Sequence, residues 1–308
     1  MAAAAAAAAQ ALAEAPIDTP FQRFARAYLA SKLAVFGLVL LSLVLLAATV
    51  GPFLAPQNPY DLMVLDVMDS RLAPGEKSGD GKMTFLLGSD EQGRDMVSAI
   101  LYGVRTSVAV GLASTAAALA IGLALGLWAA YAGGRADAFV MRAVDIQLSF
   151  PPILIALILL ALTGPGVGKI IIALIAVKWA YYARSARSIA LVERRKEYIE
   201  AAAGLGLSTS RIIFRHLLPN CLTPLMAVTA LQVASAITLE ATLSFLGLGL
   251  PPTSPSLGLL IANGSQYLMS GKYWISLFPG VALLIVVVAI NLVADQLRDV
   301  LNPRLQAQ

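Results

Sequence analysis

The sequence predicts an all-α integral membrane protein with six transmembrane helices. Three observations predict it. Only 13% of the 308 residues are charged and 58% are hydrophobic. An ordinary soluble domain carries about a quarter charged residues, so the apolar excess here must face lipid. Charge-poor apolar runs recur along the chain, each near the roughly 20 residues that cross a bilayer at about 1.5 Å per residue. Basic residues are also shared unequally between alternate connecting segments, as the positive-inside rule requires. Backbone groups left open in lipid would go unsatisfied, so each run is a helix.

Residues 1–32 read as a cytoplasmic N-terminal tail. Its Ala-rich start, Met1 to Ala9 and on to Pro16, has no basic region ahead of an apolar one, so it is expected to be disordered or frayed helix, not a cleaved signal. The first span is 33–55, from Leu33 to the Pro52, Pro56 and Pro59 cluster. Residues 56–104 form an extracytoplasmic loop: 56–88 are rich in Pro, Gly and Asp, and 89–104 predict an interfacial helix. There Ser89 and Gln92 have capping-box spacing, Asp90 and Glu91 suit a helix N-terminus, and Met96, Val97, Ile100, Leu101 and Val104 form one apolar stripe.

Residues 105–308 form the core. Its spans run from Thr106 to Gly134, from Ile146 to the Gly164–Gly168 turn, from Ile170 to Ala183, from Leu217 to Leu246 and from Tyr273 to Ala294. With the N-terminus inside, inner segments carry 14 Lys and Arg and outer ones seven. The bias is strongest in the 184–217 loop, which holds Arg184, Arg187, Arg194, Arg195, Lys196, Arg211 and Arg215. Both termini then lie on the cytoplasmic side of the membrane.

Composition excludes several chemistries. One cysteine, Cys221, and one histidine, His216, support neither a disulfide, a Cys-based metal site nor a histidine-dependent triad. No basic face with readers for nucleic acid is present. A phosphate-binding loop needs Gly, four residues, then Gly-Lys-Ser/Thr. The nearest approach, Gly168-Lys169, has Thr163 and Ile170 at the other two places. This chain is not expected to hydrolyse ATP.

The 184–217 loop holds the informative pattern: Glu200-Ala201-Ala202-Ala203-Gly204-Leu205-Gly206, then Ser208, Arg211, and His216-Leu217-Leu218-Pro219. It predicts two short helices, the first ending at the Gly204/Gly206 pair and the second starting at a Ser208 cap. Small side chains leave a backbone that a partner can approach closely. The alternative is plain helix packing, the role assigned to Gly122-x-x-x-Gly126.

Glu200, Ala201, Ala202, Gly206, Leu218 and Pro219 resemble the EAA loop of ABC importer permeases. Leu87–Asp95, Leu101–Ser107, Glu240–Gly249 with Pro251 and Pro252, and a tail with Asn291, Asp295, Arg298, Pro303 and Arg304 extend the likeness over about residues 20–305. They are similar to the dipeptide/oligopeptide/nickel permeases, the "C" member of the pair. Two positions depart from that pattern: His216 replaces an aliphatic residue and Leu257 a Trp. The resemblance implies a type I ABC importer permease fold, one peripheral span plus a five-helix core. It implies a paralogous permease subunit, two ATPase subunits that carry ATP and Mg, and an extracytoplasmic substrate-binding protein. No cofactor is implied on this chain. ATPase docking falls to Glu200, Ala201, Ala202, Gly206, Arg211, Arg215 and Pro219.

The implied function is the permease subunit of a peptide importer. A permease for nickel or another small solute is the alternative within the family, and a stand-alone channel or ion-coupled carrier the alternative outside it. Two charges fall inside spans, where they are costly. Glu240 is expected to line the outer translocation path or bind a peptide amino group, or else to make an interhelical bond. Lys178, ahead of Trp179, Tyr181 and Tyr182, is expected to snorkel toward the cytoplasm.

Overall fold

The computed structural model describes residues 19–301 apart from 62, 64 and 252. The Ala-rich start, Pro252, Pro303 and Arg304 therefore lie outside the described residues. Within them the chain is helical, with no strand beyond two isolated bridges.

The later part of the N-terminal segment, residues 20–29, is helical. Helix α1, Pro20–Leu29, is closed at its start by a capping box between Thr19 and Gln22. Buried Tyr28 packs against Ala34 and Val300, which ties α1 to the ends of α2, Lys32–Thr49, and α10, Trp274–Leu301. A methyl group on Gly37 would stand 2.6 Å from Leu292 Cβ, so α2 lies close against α10.

The expected interfacial helix over 89–104 does not form as a separate element, and the boundary set at 104/105 falls inside a helix. Residues 89–95 are a tight loop containing Gly93 at φ 78°. Ser89 is no cap: its hydroxyl donates to Asp69 O and accepts from Leu72 N–H at 2.8 Å. The buried pair Asp90–Arg94, 2.6 Å apart, closes this loop. The N-cap is Asp95, which accepts from Ser98 N–H at 2.8 Å. From it α3, Met96–Ala132, runs unbroken for 37 residues, about 55 Å, absorbing both the apolar stripe and the second span.

The third expected span is broken. Helix α4, Gly134–Ser149, meets α5, Pro152–Thr163, at an 88° bend. A residue before proline is driven out of the helical region, and Phe150 and Pro151 are extended. Helix α4 carries Asp137 and Asp145, which pair with Arg187 and Arg184 of α6, Val167–Glu193. Four stretches are each long and apolar enough to span a membrane: α2, α3, Thr209–Phe245 and α10. The bent pair raises the number to five. Helix α6 has the length, 27 residues, but Lys169, Lys178, Arg184 and Arg187 interrupt it. The expected six spans are therefore not matched one for one.

The loop helix α7, Glu197–Gly204, leads through Thr209–Arg211 and a π-helical turn, Ile212–Leu217, into α8, Leu218–Phe245. Pro219 has no N–H to close the ordinary helical bond four residues back, and the wide turn precedes it. A helix the sequence reading did not anticipate, α9, Leu257–Ser265, is capped by Ser256 and packs between α8 and α10. Helices α3 and α6 meet along Gly122 and Gly126. Added methyl groups there would stand 2.4 Å from Tyr182 Cβ and 2.5 Å from Ala183 O.

Candidate functional site

The motif spacing in the 184–217 loop has a local cause. Helix α7 ends in paired bonds: Gly206 N–H to Ala203 O at 3.0 Å and Leu207 N–H to Ala202 O at 3.3 Å. This is a Schellman cap, which places a left-handed residue just past the helix and joins the flanking apolar side chains. Gly206 takes that position at φ 72°. Ala202, four residues before Gly206, gives its carbonyl to Leu207 N–H and packs with Ile199, Leu207 and Ile212. Ala202 is thus turned inward and is not on the exposed face that the resemblance assigned it to. Glu200, Ala201, Gly206, Arg211, Arg215 and Pro219 are exposed. Ser208 has the extended backbone of an N-cap, and its carbonyl accepts from Ile212 N–H, although its side chain makes no capping bond.

Several residues of this surface escaped the sequence reading. Leu205 is 81% exposed and Phe214 67% exposed. Arg194 donates to Ala130 O at 2.9 Å and Tyr131 O at 3.1 Å, and its guanidinium stands 5.1 Å from the Tyr131 ring centre. It thereby satisfies carbonyls that α3 leaves open at its end, where a cation also suits the helix dipole. Tyr131 Oη donates to Thr209 Oγ1 at 3.2 Å. The loop is thus clasped to the end of α3 from both of its arms. Tyr198 Oη donates to Glu193 at 2.6 Å, and Lys196 pairs with Glu193 at 2.8 Å. Burial, then the Glu193 carboxylate, push the Tyr198 hydroxyl upward in pKa. Burial also works against ionised Glu193, but the Lys196 and Tyr198 bonds outweigh it and hold that carboxyl below its ordinary value.

Of the two charges inside the helices, Glu240 makes the interhelical bond that was one of its two expected readings, while Lys178 departs from its expected place. Glu240 does not line an open path. It is fully buried, and its two oxygens accept from Ser107 of α3 and from Ser244, each at 2.8 Å. Lys178 does not snorkel. It is buried, and its ammonium donates to Gln232 Oε1 at 2.8 Å and Ser235 Oγ at 3.0 Å, both on α8.

Comparison with known proteins fits this arrangement. Residues 122–307 match the family described as binding-protein-dependent transport system inner membrane component. Residues 19–74 match the N-terminal TM domain of oligopeptide transport permease C. The di/tripeptide transport system permease protein DppC of Pseudomonas aeruginosa is 36% identical over 94% of this chain and 93% of its own. The dipeptide transport system permease protein DppC of Escherichia coli is 39% identical over 94% of both. Among solved structures, an inward facing conformation of the MetNI methionine ABC transporter is similar at TM-score 0.54 and 22% identity, over 67% of this chain and 98% of that one.

Proposed function

This chain belongs to the family of binding-protein-dependent transport system inner membrane components, and from that premise we propose that it is a permease subunit of an ATP-driven peptide importer. The observation that carries the reading is the clasped loop. A helix-turn-helix with exposed Glu200, Leu205, Arg211, Phe214 and Arg215 is held to the end of the 37-residue α3 by Arg194, Tyr131 and Thr209. Such a loop passes a push from a docked ATPase into the membrane helices. Peptide as substrate rests on relatives that carry that name over almost their whole length.

In this reading a second, paralogous permease completes the path, and two ATPase subunits hold ATP and Mg. A binding protein delivers substrate to the 56–95 side, and both termini lie in the cytoplasm. The basic 184–217 loop supports that orientation.

Gly206→Trp and Glu200→Lys test the docking. Nothing stands within 4 Å of a β-carbon on Gly206, so a side chain there projects outward, although it strains the left-handed backbone that closes α7. Glu200→Lys, on helical backbone, carries no such strain and separates docking from the cap. Both variants should insert and assemble, yet lose most peptide uptake and the stimulation of ATP hydrolysis by loaded binding protein. Wild-type uptake by both would overturn the assignment.

A further inference from the structure

We propose that Lys178, Gln232 and Ser235 form an anion-receiving subsite within the membrane that takes the carboxylate of a peptide in transit. The proposal rests on the importer reading above and adds to it a ligand group and its receiving residues.

The argument is the direction of the hydrogen bonds. Lys178, 5% exposed, sits 11 residues into α6 and reaches across to α8. Its ammonium donates to Gln232 Oε1 and to Ser235 Oγ. Both partners are neutral, and among the described residues no carboxylate pairs with Lys178. A buried ammonium in this setting is costly unless an anion compensates it. Because Gln232 and Ser235 spend their acceptor atoms on the lysine, each is left with a donor. The Gln232 amide hydrogens and the Ser235 hydroxyl hydrogen have no acceptor among the described residues. A positive charge with two unused donors around it favours an acceptor that is itself negative.

The subsite opens to space. Ser235, the one member of the trio that reaches it, is exposed and lines a groove of about 490 Å³ in which Thr238, Thr242 and Asn291 are set among apolar side chains such as Ile153, Leu239 and Val287. Thr238 and Thr242 donate back to carbonyls four residues earlier in α8, which leaves their oxygens as weak acceptors only. The Asn291 side chain makes no hydrogen bond among the described residues. Ser235, Thr238 and Thr242 are spaced along one face of α8, so they run as a row of hydroxyls through an otherwise apolar groove. A free C-terminal carboxylate is the one anion common to all unmodified linear peptides. A single cation beside the groove can therefore recognise a peptide whatever its sequence.

The test uses the complete transporter in proteoliposomes, with its binding protein and labelled dialanine and tetraalanine. Selection by the binding protein belongs to a separate chain and is untouched by changes here. Lys178→Met should lower peptide taken up per ATP hydrolysed about tenfold, and Ser235→Ala, which removes one hydroxyl from an exposed position, about threefold. Lys178→Arg, which keeps the charge and adds donors, should stay within about threefold of wild type. Wild-type ratios in Lys178→Met and Ser235→Ala would overturn the proposal and leave the lysine as a tie between α6 and α8. So would a Lys178→Met protein that fails to assemble with the second permease while Ser235→Ala transports normally, which would make the ammonium structural. Uptake of neither peptide by the wild type would instead overturn the importer reading, and the subsite with it.

Discussion

Gly206 and Ala202 show what a four-residue spacing is for. The pattern itself was plain in the sequence, but its reason is a helix end: Ala202 supplies the carbonyl and Gly206 the left-handed backbone that closes α7. Spacing alone could not separate the residue that faces a partner from the one that faces the loop interior, which is why Ala202 was placed outside. Lys178 was misread for a related reason. The aromatic run after it suggested a membrane interface, but Tyr182 is fully buried against Gly122 of α3, so that aromatic marks packing. Glu240 was recognised as unusual, and one of its two readings was an interhelical bond. Its environment sets a sharp expectation. Glu240→Gln keeps an acceptor for one of Ser107 and Ser244 and offers its amide N–H to the hydroxyl oxygen of the other, and should change thermal stability in detergent little. Glu240→Ala leaves two buried hydroxyls unpaired and should cost about 1–3 kcal/mol. Equal loss in both variants would mean that the charge, not the acceptor, is what the site needs.

At the scale of elements, hydropathy found the apolar runs but not how helices continue beyond them. Nothing between Val104 and Thr106 stops a helix, so α3 continues through a point where Arg105 marked the edge of an apolar run. Conversely, Pro151 and Pro152 lie inside the third expected span and turn the chain there by 88°. Helix α9 was passed over because its nine residues are too few to signal a span. Close helix packing at Gly122 and Gly126 was legible, since they stand one turn apart; the structure supplies α6 as the partner, and the contact is tight enough to test. Gly122→Leu would push a side chain into Tyr182 and the Trp179 carbonyl, which stands 2.5 Å from the new β-carbon. Overpacking of this kind costs about 1–3 kcal/mol, and the backbone contact puts this case at the upper end. The expected result is a lower yield of folded protein and earlier thermal unfolding in detergent. Gly168→Ala, with nothing within 4 Å, serves as the control that should behave as wild type.

Across the whole molecule, α3 joins the two ends of the chain's architecture. One end is set by Asp95 and the buried Asp90–Arg94 pair. The other is gripped by Arg194 of the 184–217 loop. A single unbroken helix thus connects the 184–217 loop at one end to the 89–95 loop at the other. Membrane class was readable from composition, and the family from the resemblance of the loop motif and its companion segments. The broken third span and the single long α3 were not, because they depend on packing between helices distant in sequence.

The most direct test of the central claim is to purify the tagged chain from its host in mild detergent, identify what accompanies it, and measure peptide uptake after reconstitution. The account predicts a second permease and ATPase subunits in the complex, with uptake that needs both ATP and binding protein. Recovery of this chain alone, moving solute across liposomes without ATP, would contradict it and favour a channel or ion-coupled carrier.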